Sequence, residues 1–341
     1  MPVNKASKND KSNRPKDDPF HQHQLCGIHV FLDAKHIFPM LLVVGIVFIC
    51  IGIWLKAEID TIQESFIDYT YCYSINNPKL TCYDVLLNTT VTDNYLSCFC
   101  LANFSISSTF KGDVNFYYKL TNFYQNYKTY ALSKDDMQLF GKGPPFKDSC
   151  KPYLMNSQNQ YYAPCGAIPN SIFNDTFQLY YISSNSTIAV PWTSVNISWE
   201  TDRNELYGKP SSFNNTVKPI NWKYSALERS SNSYKEDEEL IVWMKLAAFP
   251  TFRKLHRRLI QTNPFNEGLI QGNYVLYINY SFPVSPFNGT KGFFITTPHW
   301  LDSKDPAIFI LFILCGIIHI IGFAILLTIS QIKTKIRKQI D

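Results

Sequence analysis

The sequence lacks the motifs that mark the common catalytic sites. It has no His-Glu-x-x-His zinc pair, no Gly-x-Ser-x-Gly nucleophile elbow, no Walker A loop and no phosphorylatable Asp-Lys-Thr-Gly. Any ATP hydrolysis associated with this chain therefore belongs to a partner. Charge is scarce too. Asp, Glu, Lys and Arg make up 17% of the residues, and the net charge of +5 is spread along the chain, so no basic footprint for nucleic acid forms. Of the seven histidines, His21, His23, His29 and His36 lie near the N-terminus and His319 lies in an apolar run. The remaining two, His256 and His299, are too far apart in sequence to suggest nucleophilic or metal chemistry. The acidic run Lys235–Glu239 reads as a solvated turn and not as the carboxylate pair of a glycosidase. No catalytic residue, metal ligand or cofactor site is expected.

Aromatic residues are abundant, with 21 Tyr and 25 Phe, many of them mixed with Asn, Ser and Thr as in NFYYKLTNFYQNY (Asn115–Tyr127). That composition suits β-rich extracellular domains. Two segments are uncharged and long enough to cross a hydrocarbon core, a task that takes roughly 20 apolar residues. They are Ile37–Leu55 and Ala307–Ile329. The first follows a polar lead of residues 1–36, too long for a cleavable signal, and reads as a signal anchor. Lys5, Lys8, Lys11, Arg14, Lys16 and Lys35 precede it, and Lys333, Lys335, Arg337 and Lys338 follow the second. Basic flanks on both outer sides put 1–36 and 330–341 in the cytosol and 56–306 in the lumen or outside the cell. The fold class expected is a membrane protein with two transmembrane helices flanking that large ectodomain.

The loop fits this placement. Glycosylation acceptors occur at Asn88, Asn103, Asn174, Asn185, Asn196, Asn214, Asn279 and Asn288, all between the spans. Six of the nine cysteines are also there: Cys72, Cys82, Cys98, Cys100, Cys150 and Cys165. An even number in an oxidising compartment reads as disulfides, with 15 possible connectivities. Cys98 and Cys100 share one face of a strand, where a bond between them would be strained, so each reaches back to Cys72 or Cys82. Cys150 is left for Cys165, closing a loop worth on the order of 3 kcal/mol. A zinc site at these cysteines is disfavoured by the oxidising compartment.

The stretch LIVWMKLAAFPTFRKLHRRL (Leu240–Leu259) is apolar at first and basic at the end. Its apolar half contains Lys245 and stops at Pro250, too short to span. The pattern predicts a buried strand or turn, followed by a helix that starts at Pro250 and sets Phe252, Leu255 and Leu259 opposite a basic face. The basic face has two readings, a solvated helix surface or a charge-docking site.

FPTFRKL, NFYQNY (Asn122–Tyr127), APCGAIPNSIFNDTF (Ala163–Phe177), IDYT (Ile67–Thr70) and KPINW (Lys218–Trp222) together resemble the accessory subunits of type IV P-type ATPases, the lipid flippases. The likeness runs from Asn13–Pro15 in the tail through GIVFICIGI to the second span. It departs at QHQL (Gln22–Leu25) and CGIHV (Cys26–Val30), which lack a Trp and two Pro usual in the family. The resemblance implies a mainly antiparallel β ectodomain with helical insertions, nested Cys72–Cys100 and Cys82–Cys98 bridges, and a Cys150–Cys165 bridge. It also implies a non-catalytic subunit needed for folding, export from the endoplasmic reticulum and aminophospholipid flipping. The implied partners are the ATPase catalytic subunit and membrane lipid, somewhere along the endoplasmic reticulum, Golgi, secretory vesicles and plasma membrane. Candidate contacts are Arg14, Pro15 and Phe20 in the tail, Gly316 and Gly322 in the second span, and Arg253 and Lys254 in the loop. The competing class is a ligand-gated channel subunit, which has the same two-span layout. A pore needs polar rings, and the second span offers only Cys315 and His319 before Thr328.

Overall fold

The computed structural model describes residues 17–20, 22, 24, 34–88, 97–143, 148–184, 186–230, 233–301 and 304–340. It falls into two units, Met1–Lys56 with Pro306–Asp341, and Ala57–Asp305.

The first unit is built on helices α1 (Ala34–Thr61) and, at the other end of the chain, α4 (Ala307–Ile340). Both continue past the uncharged segments read from the sequence. They are long and apolar enough to cross a membrane over Ile37–Thr61 and Ala307–Gln339. Only 11% and 6% of their most apolar windows are buried within the chain. A helix of a soluble core hides that surface, so these helices need apolar surroundings, in which the helix satisfies every backbone group internally. They meet along a glycine seam. A Cβ on Gly45 would lie 3.0 Å from the Gly316 carbonyl oxygen, and one on Gly52 would lie 2.6 Å from Ile313 Cγ1. Contacts that move forward in α1 and backward in α4 mean the pair runs antiparallel. Small residues at such a seam let backbones approach, and packing replaces the hydrophobic effect that lipid cannot supply. Phe48 closes the seam, its ring 5.7 Å from Phe312 and 5.6 Å from His319.

The second unit is built on two larger antiparallel sheets, beside two short two-stranded ones. One has the order β1-β9-β3-β7-β6, with β1 Glu64–Asp68, β3 Asn115–Leu120, β6 Trp192–Thr193, β7 Phe252–Leu259 and β9 Lys291–Thr296. The other has the order β2-β8-β4-β5, with β2 Cys98–Ile106, β4 Thr176–Ile182, β5 Thr187–Ala189 and β8 Gly272–Tyr280. Alternation sets the inward face: Tyr274, Leu276, Ile278 and Tyr280 of β8 are buried, whereas Asn273 and Tyr277 are exposed. Both sheets contribute to one aromatic core, where Phe177 and Phe293 lie 5.0 Å apart and Tyr118 stacks on Phe173 at 3.9 Å. Ring pairs of this kind add about 0.5–1.5 kcal/mol each beyond burial.

The stretch Leu240–Leu259 folds the other way round from its sequence pattern. The first five residues of its apolar half lie in a helix, α3 (Glu238–Met244), whose first turn is capped by the Asp237 carboxylate accepting the Leu240 N–H at 3.0 Å. Its basic half is a strand, β7, paired with β3 and β6. A bulge between Leu255 and Arg257 interrupts the alternation, and Phe252, Leu255 and Leu259 are all only half-buried. Lys254 and His256 point inward, each 6% exposed.

Three disulfides are formed: Cys72–Cys100, Cys82–Cys98 and Cys150–Cys165. The first two fasten Cys72 and helix α2 (Cys82–Asn88) to β2. They consume the sulfurs of Cys72, Cys82 and Cys100, which otherwise cluster closely enough for a metal. Replacing Cys82 and Cys98 together by Ser should cost about 2–5 kcal/mol. Thermal unfolding of the purified protein in detergent measures this, and an unchanged melting temperature would mean that the bridge restrains nothing.

Candidate functional site

The motif residues converge on one buried ion pair. Asp175 of FNDTF precedes β4, and Lys291 begins β9; both side chains are 0% exposed and their atoms lie 2.6 Å apart. Charges so deeply buried are tolerable only when every lone pair and proton is used. Asp175 Oδ2 also accepts the Tyr69 hydroxyl at 2.9 Å, while Oδ1 accepts the backbone N–H groups of Ser281 and Phe282, both at 2.6 Å. The Lys291 ammonium donates to the Phe282 carbonyl at 2.6 Å and sits 3.1 Å from the Tyr280 ring centroid. Burial pushes that ammonium down and Asp175 opposes the shift. Burial also raises the Tyr69 hydroxyl, with Asp175 adding to it, so Tyr69 stays a donor. Thr70 of IDYT completes the node by exchanging two hydrogen bonds with the Lys291 backbone through its hydroxyl, at 3.1 and 2.9 Å. Sequence reasoning quoted these motifs and missed this use. The available signal was a charged residue enclosed by apolar and aromatic neighbours in FNDTF and KGFFIT.

The acidic run is a solvated turn only at Lys235 and Glu236, whereas Asp237, Glu238 and Glu239 are structural. Asp237 caps α3 and pairs with Arg229 at 2.6 Å, and Glu239 pairs with Arg257 at 2.5 Å. Glu238 is 9% exposed and accepts from the Asn196 N–H, the Ser198 N–H and hydroxyl, and Arg203, all at 2.7–2.8 Å. Burial alone would raise the Glu238 carboxyl. The Ser198 and Asn196 hydrogen bonds and the Arg203 charge outweigh burial and hold it below the usual range. His256 stands between the Phe177 and Tyr118 rings. Burial first, then the Arg257 cation, keep its imidazole well below its ordinary value and neutral at physiological pH.

The partner-contact residues fare differently. Lys254 is a correction. Its ammonium donates to the carbonyls of Val242, Trp243 and Lys245 at the end of α3, which removes it from the surface. Burial, with the Lys245 cation second, pushes it down to about 7, while the three carbonyls favour the proton. Arg253 is partly exposed, with its guanidinium between the Tyr117 and Phe294 rings and 3.8 Å from Glu64. Gly316 lies in the seam, where a Cβ would meet Ile49 Cγ1 at 2.6 Å and the Gly45 carbonyl at 2.7 Å. A Cβ on Gly322 would have nothing within 4 Å. Phe20 is exposed, and Arg14 and Pro15 lie outside the described residues. Among the acceptor asparagines, Asn103, Asn196, Asn214 and Asn288 are exposed and Asn174 and Asn279 half-buried. Asn185 and the Asn88 side chain lie outside the described residues.

A family model described as LEM3 (ligand-effect modulator 3) family / CDC50 family matches residues 55–337. Cell cycle control protein 50A of Mus musculus is 36% identical over 339 residues, covering 94% of this chain and 90% of that protein. Cell cycle control protein 50B of Homo sapiens is 32% identical over 332 residues, covering 92% and 93%. The Saccharomyces cerevisiae protein named phospholipid-transporting ATPase accessory subunit CRF1 is 31% identical over 350 residues, covering 94% and 86%.

Two outcomes test this arrangement. Lys291→Met leaves the Asp175 carboxylate buried and unpaired, and should cost about 3–5 kcal/mol. The double change Lys291→Met with Asp175→Asn should cost less than the two singles summed; simple additivity would mean the groups do not interact. Because the Glu238 carboxyl is depressed in the fold, its stabilisation is present above the unfolded value of about 4.3 and is lost as pH falls through the folded one. In acid titrations followed by tryptophan fluorescence, Glu238→Gln should therefore be less stable than the parent at neutral pH, by about 1–3 kcal/mol. It should also lose less stability on acidification. Parallel acid limbs would contradict this role.

Proposed function

The chain belongs to the LEM3/CDC50 family, and on that premise we propose that it is a non-catalytic accessory subunit of a phospholipid-translocating type IV P-type ATPase. The yeast relative bearing an accessory-subunit name supports the partner class. The observation that carries the reading is the helix pair, which buries one glycine seam and leaves most of its apolar surface, Gly322 included, uncovered by the described residues. Packing of small residues against further helices is how such surface is used in a bilayer. His319, the residue a pore would draw on, faces Phe48 at the seam with its Nδ1 2.7 Å from the Cys315 carbonyl of its own helix. That position favours the subunit over the channel.

In this reading residues 37–55 and 307–329 are the spans, 1–36 and 330–341 are cytosolic, and 56–306 is luminal or extracellular and N-glycosylated. Phe20 with Arg14 and Pro15 contacts the ATPase from the cytosol, Gly322 inside the membrane and Arg253 outside it. Binding stabilises the folded ATPase by mass action. It lets the ATPase leave the endoplasmic reticulum and supports aminophospholipid flipping along the secretory route to the plasma membrane. A bias between ATPase conformations requires contacts that differ between them.

In sealed microsomes, added protease should digest tags at both termini while the glycosylated loop is protected. Protection of either tag rejects the topology. Co-expression with type IV ATPases and detergent co-purification tests the partner. Gly322→Leu should preserve the disulfide-bonded, folded chain but lower recovered ATPase about tenfold, a loss of ~1.4 kcal/mol. Removing the protein from cells that express it should cause ATPase retention and reduced aminophospholipid uptake together. Failure of every type IV ATPase to co-purify would sink the proposal.

A further inference from the structure

A groove of about 480 Å³ lies between the end of helix α3, segment 197–202 and the part of the five-stranded sheet formed by β3 and β7. That volume falls in the range of small-ligand sites. Four cations line it, Lys245, Arg253, Lys254 and Arg258, against one carboxylate, Asp202. Two of them face carboxylates only at long range. The Lys245 ammonium lies 3.5 Å from Asp202, and the Arg253 guanidinium lies 3.8 Å from Glu64. Lys254 gives its protons to the carbonyls at the end of α3 and contributes field rather than contact. Arg258 is exposed, and among the described residues no hydrogen bond or ion pair holds its guanidinium. Like charges lining one groove repel, and the Lys245 cation adds to burial in pushing the Lys254 ammonium down to about 7. An anion in the groove would relieve that repulsion.

The rest of the wall is aromatic and apolar, with Tyr117, Trp199, Ile241 and Leu246. Trp199 is 68% exposed and carries the Lys245 ammonium 3.3 Å from its ring centroid. Exposed Trp and Tyr beside cations are the side chains suited to a membrane–water interface. Sheet topology puts the groove close to one. Arg258 and Asn115 of the lining, then Thr296 and Glu64, are register partners in turn and form one row across the sheet. Both connections to the apolar helices leave from this row, since Glu64 follows the end of α1 by three residues and Thr296 leads into 297–306. Three residues reach at most about 11 Å, which keeps the row near the bilayer surface.

We propose that this groove holds the headgroup phosphate of one anionic phospholipid from the extracytosolic leaflet, with Arg258 and Lys245 on the phosphate and the aromatic wall against the glycerol. An acidic protein segment would meet the same cations, but the row beside both connections to the spans favours lipid. The inference rests on the luminal placement of this unit. It gives the accessory subunit a lipid site of its own, in the leaflet from which the transported lipid departs.

The test uses the full-length, disulfide-bonded protein in nanodiscs of phosphatidylcholine alone or in equal parts with phosphatidylserine. Each lipid is supplied in trace as a probe with a photoreactive diazirine beside the glycerol ester, and labelled peptides are mapped by mass spectrometry. The phosphatidylserine probe should label 197–202 and 241–258 at least about fivefold more than the phosphatidylcholine probe, and less at high salt. Arg258→Gln with Lys245→Gln should lower that label at least about fivefold at an unchanged melting temperature. Lys128→Gln, at an exposed cation outside the groove, should leave the label as it is. If the double variant unfolds, Arg258→Gln alone decides, because its guanidinium has no partner to lose; unchanged labelling then overturns the site. Equal labelling by both probes, label spread over the whole domain, or the same loss in Lys128→Gln would each overturn it as well. ATPase co-purification is measured on the same variants. No label in nanodiscs, together with lost co-purification in the double variant, would assign the groove to an acidic segment of the ATPase and overturn the lipid site. The nanodiscs contain no ATPase, so failure of the lipid site leaves the subunit reading standing, and failure of that reading shows only in the co-purification.

Discussion

The 57–305 unit depends on the Asp175–Lys291 pair because that pair is where its two sheets are joined by charge. Lys291 opens β9 in the five-stranded sheet, and Tyr69 and Thr70 follow β1 of the same sheet. Asp175 precedes β4, and Ser281 and Phe282 follow β8, both in the four-stranded sheet. Sheet-on-sheet packing by Phe, Tyr and Leu is non-directional and tolerates sliding. Two carboxylate oxygens accepting three N–H or O–H donors and one ammonium do not, since any slip leaves a buried charge exposed to low dielectric. The pair therefore sets the register of the sheets, while the aromatic core supplies the bulk of the burial.

The helical unit works under the opposite constraint. Apolar contact brings it no advantage over lipid, so specificity comes from shape: Gly45, Gly52 and Gly316 remove side chains where the backbones approach. A seam of that kind is narrow. It fixes the pairing of α1 with α4 and leaves the remaining circumference of each helix free to meet other helices. Buried charge in one unit and missing side chains in the other do the same job, which is to reject alternative alignments.

The sequence made the two long apolar helices and the disulfide-bonded cysteines legible, because each is a composition signal that needs no knowledge of packing. It misled at β7. In an ordinary strand the inward residues are apolar, but here the inward residues are Lys254 and His256, and the bulge after Leu255 breaks the period. Lys254 can face inward only because the last carbonyls of α3 wait there, and nothing local to residues 252–259 announces that. The acidic run failed for a similar reason. Asp237, Glu238 and Glu239 look solvated until Arg229, Arg203 and Arg257 are brought to them from elsewhere in the chain. Buried, paired charge is a tertiary property, and hydropathy patterning has no symbol for it.

The stretches that carried the family resemblance turn out to be the internal fastenings of the fold. IDYT supplies Tyr69 and Thr70, and FNDTF supplies Asp175. The Ile168 and Pro169 carbonyls of APCGAIPN accept the indole N–H groups of Trp243 and, from KPINW, Trp222, at 2.8 and 2.6 Å. NFYQNY places the Gln125 carboxamide oxygen on the Ala247 N–H at 2.9 Å, and FPTFRKL supplies Lys254. Resemblance concentrated in such positions reports the fold and the common task that depends on it. Selectivity among partners has to reside elsewhere, on side chains with no fastening role. Among the described residues Leu132, Val195 and Leu206 are of this kind, each more than half exposed although apolar. A site that keeps its fold through buried motifs can change those side chains without disturbing the sheets, so the features that identify the family and those that choose the partner occupy separate parts of the same domain.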